Sequence, residues 1–259
     1  MKFIEISIAM KQNIQKMIQA GVHFGHSKSE WNPKMSPYIY QEKNGIHIID
    51  LIQSWFYLKK IKKFLQISCS QGQKILFVGT KKQASTIIQQ IAIKSNSFFV
   101  NERWLGGLLT NWTTIQKSII KLNQLDKKMN EATCSKKQII RLEKMKQRLE
   151  KYVGGLKFMR DLPDIVIIIG QTKELNAIRE CKKLGIRTIT LLDTNSDPLL
   201  ADLFIPANDD SIYSIQYITQ ELANAIQLGN QTFEHSKQNK QNKQNKQNKQ
   251  NKQNTNNVE

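Results

Sequence analysis

The chain has 259 residues, 39% of them hydrophobic, and its 39 Lys and Arg against 21 Asp and Glu amount to a formal charge of +18 at pH 7. This apolar content can form the core of one or two domains, which excludes a fully disordered protein. No apolar run approaches the roughly 20 residues that cross a bilayer, and no secretory signal is evident, so we expect neither a membrane protein nor a secreted one. The charge predicts a polyanionic partner, with nucleic acid foremost.

Short β-branched runs alternate with segments of helical periodicity through most of the chain. We predict strands at residues 46–49, 74–79, 98–100, 164–170, 188–192 and 203–205. Between them, apolar residues at helical spacing, such as Ala84, Ile88 and Ile91, predict amphipathic helices. Gly185 stands where a glycine would end one of these helices. The alternation indicates an α/β protein with a doubly wound parallel sheet.

The segment 112–153 interrupts that alternation and has no strand signal. Its apolar residues step by threes and fours in two seams. The first seam comprises Ile115, Ile119, Leu122, Leu125 and Met129, and the second comprises Leu142, Met145, Leu149 and Tyr152. We predict an inserted antiparallel α-hairpin of coiled-coil type, with its turn at 130–135. Residues 117–160 contain 13 basic and 4 acidic residues, so this is the most positive ordered part of the chain.

The C-terminal end contains six consecutive Lys-Gln-Asn triplets, at residues 237–254, with no apolar side chain. Such a segment cannot offset its loss of conformational entropy by burial, so we predict a disordered basic tail over residues 236–259. The predicted organisation is therefore an α/β core domain formed by residues 1–111 and 154–230, with the helical hairpin inserted at 112–153.

A nucleotide site at the strand ends is one functional alternative, because doubly wound sheets bind ligands there. The loop 79–82 could hold a phosphate at a helix N-terminus, but it lacks both GxxxxGK[ST] and GxGxxG. Thr80 can instead form a capping box with Gln83, which leaves Lys81 and Lys82 to face solvent or RNA phosphate. We therefore predict no catalytic residues, no cofactor and no small-molecule substrate.

Two further groups of residues could hold a metal ion. The aspartates are Asp193, Asp197, Asp209 and Asp210. Carboxylates of this kind serve as metal ligands or as acid/base groups, but residues 193–198 suit a turn stabilised by Asx hydrogen bonds equally well. His23 and His26 form an HxxH motif, yet two imidazoles do not complete a zinc site, and the three cysteines are isolated in sequence. The sequence thus predicts packing or RNA contact for the histidines, and no metal.

Two loops combine basic side chains, aromatic rings and amides, at residues 28–34 and 101–112. Basic side chains neutralise phosphates, and aromatic planes stack on unpaired bases. With the loop 79–82 and the start of the hairpin, they provide the predicted RNA-binding residues, which are Lys28, Trp31, Asn32, Lys34, Lys81, Lys82, Arg103, Trp104, Asn111, Lys117 and Lys121. For any single tryptophan, packing in the core or at the base of the hairpin is an equal alternative.

A series of longer motifs then places the chain in a known family. The motifs are GVHFGH (21–26), WNPKM (31–35), IHIIDL (46–51), KILFVGTK (74–81), FFVNERWLGG (98–107), LTNW (109–112), LPD (162–164), DTNSDP (193–198) and IPANDD (205–210). They occur in the order seen in small-subunit ribosomal protein two of bacteria and organelles, and the resemblance covers residues 8–229. EKYVGGLK (150–157) and PAN (206–208) most resemble the plastid members of that family.

The resemblance implies a flavodoxin-like sheet with an inserted α-hairpin, in a non-catalytic structural protein of the small ribosomal subunit. It also implies binding to small-subunit rRNA near the head–body junction, with neighbouring ribosomal proteins as partners, among them the large mRNA-binding protein one. Lys, Ile and Asn, which have AT-rich codons, make up 88 of the 259 residues, and the N-terminus lacks an Arg- and Ser-rich leader. We therefore expect an organelle-encoded, ribosome-bound protein of the chloroplast stroma, with the cytoplasm of an AT-rich bacterium as the alternative.

Overall fold

The computed structural model describes residues 2–129 and 136–256, which form seven α-helices, eight β-strands and three short 3-10 helices. The helices are α1 (Lys2–Gln19), α2 (Leu51–Ser70), α3 (Lys82–Lys94), α4 (Trp112–Met129), α5 (Lys136–Val153), α6 (Leu175–Leu184) and α7 (Ile212–Asn256). The strands are β1 (Phe24–Ser27), β2 (Ile39–Lys43), β3 (Ile46–Ile49), β4 (Ile75–Val78), β5 (Phe98–Val100), β6 (Ile165–Ile169), β7 (Arg187–Leu192) and β8 (Leu203–Pro206). The 3-10 helices are Pro33–Tyr38, Gly154–Leu156 and Pro198–Leu200.

Five parallel strands form the main sheet, in the order β5-β4-β6-β7-β8. The first strand of the sheet in chain order, β4, thus lies between the second and the third, which is the strand order of flavodoxin-like folds. Every residue of β6 is buried, as expected of a central strand that is covered on both faces. The predicted α/β class with a parallel sheet is confirmed.

Alternate residues of each strand contribute to two separate cores. On β4, Ile75 and Phe77 belong to the core beneath α2, α3 and α7, whereas Leu76 and Val78 belong to the core beneath α4 and α6. A strand places successive side chains on opposite faces, so one run of apolar residues supports helices on both sides of the sheet. The result is a three-layer arrangement of helices, sheet and helices, with the loops at the strand ends exposed at the two edges.

The predicted strand 46–49 exists, but it does not belong to the parallel sheet. It is the centre of a small antiparallel sheet of order β1-β3-β2. The sequence pattern did not indicate β1 or β2, because β2 is exposed at four of its five residues and β1 contains no β-branched residue. The N-terminal part of the core thus contains a second sheet that was not expected.

The predicted hairpin region consists of α4 and α5, which contact each other. Ile115, Ile119 and Leu122 of the first predicted seam are buried and join the core beneath α4 and α6. Leu142, Met145 and Leu149 of the second seam are partly buried. The turn predicted at residues 130–135 lies outside the described residues.

The C-terminal segment differs from the prediction of a disordered tail over residues 236–259. Helix α7 continues to Asn256. The Lys-Gln-Asn triplets contain no Gly or Pro, and Lys and Gln favour helix. Because the triplets extend a helix that has already formed on the core, they add helical residues without the cost of nucleation. The last residues, 257–259, lie outside the described part of the chain.

Of the two helix ends predicted from local sequence signals, one is confirmed and one is wrong. Gly185 ends α6 with a positive φ of 69°, as its position in the sequence predicts. The capping box of Thr80 with Gln83 is wrong, because α3 begins one residue later, after Lys81, and no side chain caps it.

No helix within the described ranges is both long and apolar enough to cross a membrane.

Candidate nucleic-acid interface

The predicted RNA-binding loops lie along one edge of the main sheet. The loop 101–111 follows the carboxyl end of β5, and Lys81 and Lys82 follow that of β4. The loop 28–34 contacts the segment that follows β7, where the backbone N–H of Asn32 donates to the carbonyl of Thr194 at 2.8 Å. Because the carboxyl ends of parallel strands share one edge of a sheet, segments that are distant in sequence form one continuous surface.

The loop 28–34 is held in place by the close approach of β1 to the segment after β7 and by polar contacts. A Cβ added to Gly25 would lie 2.6 Å from Thr194 Cγ2, so β1 can approach this segment so closely only with glycine there. Asn32 Oδ1 accepts a hydrogen bond from the backbone N–H of Lys34 and starts the 3-10 helix that follows. The ammonium of Lys34 lies 2.6 Å from Asp197 Oδ2. These contacts fix the loop to the sheet edge.

A single carboxylate on α6 organises the loop 101–111. Glu180 accepts hydrogen bonds from the indole Nε1 of Trp104, from the backbone N–H groups of Gly107, Leu109 and Thr110, and from the Thr110 hydroxyl. Burial alone would raise the pKa of Glu180, but these hydrogen bonds stabilise the carboxylate and lower its pKa overall. The loop backbone is therefore fixed by a charged acceptor from a helix about 70 residues later.

Four of the predicted cations project from the sheet edge and have no carboxylate partner among the described residues. They are Lys82, Arg103, Lys117 and Lys121, all of them exposed. None of the four forms an ion pair with a side chain in the described part of the chain. Lys28 and Lys34 are also exposed, but they pair with Glu42 and Asp197. Pairs this exposed contribute little energy, so both ammonium groups can still meet a phosphate.

The amides and the first tryptophan of the predicted set remain at the surface. Asn111 is exposed, and its Oδ1 accepts a hydrogen bond from the Thr114 hydroxyl. Asn32 and Trp31 are partly buried, and the Trp31 ring lies 5.0 Å from the ring of His47. The Trp31 side chain therefore contacts a ring inside the protein and keeps part of its surface exposed.

Two predicted RNA-binding residues have internal roles instead. Trp104 is only 8% exposed, and its indole is hydrogen-bonded to Glu180, so the packing alternative is correct for this tryptophan. Lys81 extends inward, and its ammonium lies 2.5 Å from Asp209 Oδ1 and 2.8 Å from Asp210 Oδ1. Both side chains are amphipathic, and sequence patterns alone do not show which way such residues point.

The strand ends also carry a cluster that joins one histidine to three of the four predicted aspartates. His26 Nδ1 lies 3.0 Å from Asp193 Oδ1, and His26 Nε2 lies 3.1 Å from Asp210 Oδ2. Lys81 joins Asp209 and Asp210 as described above. The fourth aspartate, Asp197, pairs with Lys34 and caps the 3-10 helix Pro198–Leu200. His23 of the HxxH motif does not take part in the cluster.

The electrostatics of this cluster follow from burial and charge. The hydrogen bond to Asp193 raises the pKa of His26 against the opposing effect of burial. Burial, with the nearby Asp193 carboxylate, raises the pKa of Asp209 to about 6. Burial would lower the pKa of Lys81, but the two aspartates reverse that effect and raise it overall. Each group thus depends on the others for its charge state.

The loop 79–82, whose sequence lacks a phosphate-binding motif, has the carboxylate of Glu174 at the position that a phosphate would occupy. The backbone N–H of Thr80 donates to Glu174 Oε1 at 2.9 Å, and Lys173 Nζ donates to the Thr80 carbonyl at 3.0 Å. A phosphate at this position would have to displace a buried glutamate. The geometry therefore disfavours a nucleotide site in this loop.

Sequence analysis missed Glu180 and Glu174, which position two of these loops. A signal for Glu180 exists in retrospect, because it lies three residues after buried Ala177 and next to buried Cys181, at the border of the buried face of α6. An acidic residue beside a buried face requires donors, and here they come from a distant loop. Glu174, which directly precedes α6, lies three residues before Ala177 and four before Ile178, so it carries the same kind of signal.

The fold and the carboxyl edge of the sheet together define the class of this protein. It is a basic α/β protein with flavodoxin-like strand order and two helices inserted between β5 and β6. Its cations are exposed along the carboxyl edge of the sheet. The family model "Ribosomal protein S2" matches residues 17–229, and the chain belongs to that family. Members of the family are structural proteins of the small ribosomal subunit and not enzymes.

Individual relatives support the same assignment. The chain is 55% identical over 234 residues to small ribosomal subunit protein uS2c of Oltmannsiellopsis viridis, an alignment that covers 88% of this chain and 98% of the relative. It is 50% identical to uS2c of Chlorella vulgaris, with 85% and 83% covered. It is also 50% identical to uS2 of Synechococcus sp. (strain JA-2-3B'a(2-13)), with 84% and 83% covered.

Proposed function

We propose that this chain is a structural constituent of a chloroplast small ribosomal subunit and that it binds small-subunit rRNA near the head–body junction. The observation that carries the RNA contact is the row of exposed cations along the carboxyl edge of the sheet, together with Trp31, Asn32 and Asn111. Phosphate neutralisation supplies affinity, while amides and aromatic planes fit the folded RNA. The position in the subunit rests on the family resemblance.

Rigid presentation of these groups supports the proposal. Arg103 lies between Glu102, which pairs with Lys151 of α5, and Trp104, which is bound to Glu180. A cation on a fixed backbone loses less conformational entropy when it meets a phosphate than a cation on a mobile loop. Lys117 and Lys121 extend the same charge along α4, and the inserted helices reach neighbouring RNA or protein.

The proposed location and protein partners follow from the comparisons and the resemblance. Likeness to the chloroplast uS2c proteins of Oltmannsiellopsis viridis and Chlorella vulgaris supports a ribosome of the chloroplast stroma. Likeness to a cyanobacterial uS2 keeps a bacterial cytoplasm as the second candidate. Neighbouring small-subunit proteins are the proposed protein partners, including the large mRNA-binding protein one where the ribosome contains it.

Sedimentation tests the structural role directly. The chain is expressed with an epitope tag in chloroplasts, and the ribosomes are separated on a gradient at high salt, which removes loosely bound basic proteins first. We expect about one copy per small subunit, in keeping with a stoichiometric constituent. Recovery in the free fraction at high salt would contradict the proposal and would indicate a transient RNA-binding protein instead.

Charge reversal tests the proposed surface. Arg103→Glu with Lys117→Glu removes two exposed cations of the carboxyl edge, and Lys60→Glu with Lys63→Glu is the matched control on α2, which runs toward the amino end of β4. We expect the first pair to lower incorporation into the subunit and to reduce the salt dependence of RNA binding by roughly two units of slope. Equal effects of both pairs would show that this edge is not the RNA surface.

A further inference from the structure

A cleft of about 1080 Å³ runs beside β5, the outer strand of the main sheet on the side away from β8. Its walls come from α3, from α5 with the turn that follows it, and from α7. Pockets for small molecules usually measure about 300–1,000 Å³, so this cleft is large enough for a segment of polypeptide chain. None of the predicted RNA-binding residues, all of which lie in the described part of the chain, lines it.

Large apolar side chains are exposed inside this cleft. Phe158, which follows α5, is 83% exposed, Ile93 of α3 is 66% exposed, and Phe233 of α7 is 36% exposed. Contact of such side chains with water is unfavourable, and apolar groups gathered in a concave site mark an interaction surface. The cleft therefore offers apolar surface for a partner to cover.

The backbone fixes the position of Phe158. The N–H of Lys157 donates to the Gly154 carbonyl at 3.2 Å, and the N–H of Met159 donates to the Leu156 carbonyl at 2.9 Å. The Met159 side chain is buried in the core beneath α4 and α6, so the turn is anchored on both sides of Phe158. A ring on an ordered turn loses little conformational entropy when it meets a partner.

Glycines bring the walls of the cleft into close contact. A Cβ added to Gly155 would collide with the carbonyl of Phe99 in β5, and a Cβ added to Gly72 would lie 2.8 Å from Phe233 Cε2. The end of α5 and the loop before β4 can therefore approach β5 and α7 so closely only with glycine at these positions. The cleft is thus a preformed feature of the packed chain, and a ligand need not open it.

The charges of this cleft differ from those of the carboxyl edge. Three basic and three acidic residues line it, in a chain whose formal charge is +18. They are Lys74, Lys151, Lys237, Glu102, Glu150 and Glu234. Lys151 is paired with Glu102, and Lys74 is paired with Asp161. A polyphosphate chain gains affinity from excess positive charge, which this cleft lacks, so its charges complement a polypeptide and not RNA.

Side-chain amides supply further polar contacts in the cleft. They are Gln73, Gln89, Asn96, Asn101, Gln147 and Asn230. Asn101 and Asn230 already donate to the carbonyls of Ser85 and Ser95. Each amide has both donors and an acceptor, which match the alternating N–H and C=O groups of an extended polypeptide backbone. Apolar surface with amides at its borders therefore fits a peptide segment that carries a large apolar side chain.

We propose that this cleft binds an extended segment of a neighbouring small-subunit protein, with a large aliphatic or aromatic side chain of that segment as the anchor among Phe158, Ile93 and Phe233. The identity of the partner as a subunit protein rests on the proposed function, whereas the peptide chemistry rests on the cleft itself. The cleft and the proposed RNA surface share no residue.

Photocrosslinking in the assembled subunit tests the class of partner. The tagged full chain carries benzoyl-phenylalanine in place of Phe158, or in place of Phe56 as the matched control, since Phe56 is an exposed ring on α2 that does not line the cleft. We expect irradiation to join position 158 to one small-subunit protein and position 56 not to join that protein. A crosslink from position 158 to rRNA or to a second copy of the chain, or no crosslink, would overturn the proposal.

Peptide binding by the isolated full chain tests the chemistry of recognition. Overlapping short peptides that cover the other small-subunit proteins are labelled, and their binding is measured by fluorescence anisotropy. We expect a peptide with a large apolar residue to bind, and Phe158→Ala to weaken this binding by at least about tenfold. Phe56→Ala truncates another exposed ring and should bind as the wild type does. Equal affinity of both variants, or binding of no peptide at all, would contradict a peptide site in the cleft.

The two tests separate this inference from the proposed function. A chain that does not enter the small subunit contradicts the proposed function, and the peptide assay, which uses the isolated chain, then decides whether the cleft binds a peptide. A chain that enters the subunit but crosslinks only to rRNA retains its structural role and loses the peptide site. Because Phe158 is exposed, Phe158→Ala should be as stable as the wild type, which denaturant titration verifies.

Discussion

The indole Nε1 of Trp104 donates a hydrogen bond to Glu180 Oε1 at 2.9 Å, across 76 residues of sequence. The same carboxylate also accepts four hydrogen bonds from Gly107, Leu109 and Thr110. A loop at the carboxyl edge of the sheet is thereby fixed to α6 by one ionised side chain. The exposed cation Arg103 depends on this contact for its position.

The first prediction concerns Glu180→Gln. The amide keeps one acceptor oxygen but loses the charge and the second oxygen, so donors in the loop are left without partners. We expect a loss of about 1.5–3 kcal/mol in the free energy of unfolding, measured by denaturant titration. Glu102→Gln is the control, because Glu102 forms an exposed pair with Lys151, and it should change stability by less than about 1 kcal/mol.

At acid pH, Glu180 should no longer contribute to the free energy of unfolding. Its pKa in the folded protein is lowered from the reference value of 4.5, so its stabilising effect is complete above about pH 4.5 and disappears as the pH falls through the folded pKa. The difference in unfolding free energy between wild type and Glu180→Gln should therefore narrow below pH 4.5. A difference that stays constant from pH 7 to pH 3 would show that the ionised form is not what holds the loop.

Truncation of the two tryptophans should affect different properties, namely stability for Trp104 and RNA affinity for Trp31. Trp104→Ala removes a buried ring and should cost about 3–5 kcal/mol of unfolding free energy. Trp31→Ala removes a partly exposed ring and should leave stability within about 1 kcal/mol, while it weakens RNA binding by about 1–3 kcal/mol. Denaturant titration and a filter-binding assay with small-subunit rRNA separate the two effects. RNA affinity that is unchanged in Trp31→Ala would remove this residue from the proposed surface.

Gly25→Ala should disturb the docking of β1 on the segment after β7. The new Cβ would lie 2.6 Å from Thr194 Cγ2, which forces a shift of the backbone, and we expect a cost of about 1–3 kcal/mol. Gly106→Ala is the control, because a Cβ there has no atom within 4 Å, and its effect should stay within about 0.5 kcal/mol. Similar stability of the two variants would contradict the close approach of β1.

Removal of residues 239–259 tests the conformation of the C-terminal segment. Helix α7 extends to Asn256, so the truncated chain should lose helical ellipticity at 222 nm equivalent to about 18 residues. The core should unfold at the same denaturant concentration, because the last residue of α7 that is described as buried is Gly229 and residues 231–238 are exposed. RNA binding should become less salt-dependent, since five lysines are removed. Unchanged ellipticity would mean that the segment is not helical in solution.

Much of the parallel sheet could be predicted because its signal is local. The strands β4, β5 and β6 are β-branched or aromatic runs bounded by turn residues, and they lie within one residue of the predicted ranges. A central strand is buried on both faces, so its sequence is continuously apolar and easily recognised. The segment 46–49 carries the same signal, yet its pairing with β1 and β2 depends on residues with weak strand propensity, and local patterns could not predict it.

By itself, the amino-acid sequence determined the α/β class, the basic character of the edge loops and the family, because periodicity, charge and ordered motifs are properties of contiguous residues. Only the tertiary structure decided which side chains of those loops remain available to bind RNA. Lys81 lies against Asp209 and Asp210, and Trp104 lies against Glu180. A lysine or a tryptophan has one polar end and one apolar stem or ring, so its direction is set by the partner that the fold brings near, and these partners lie from 76 to 129 residues away.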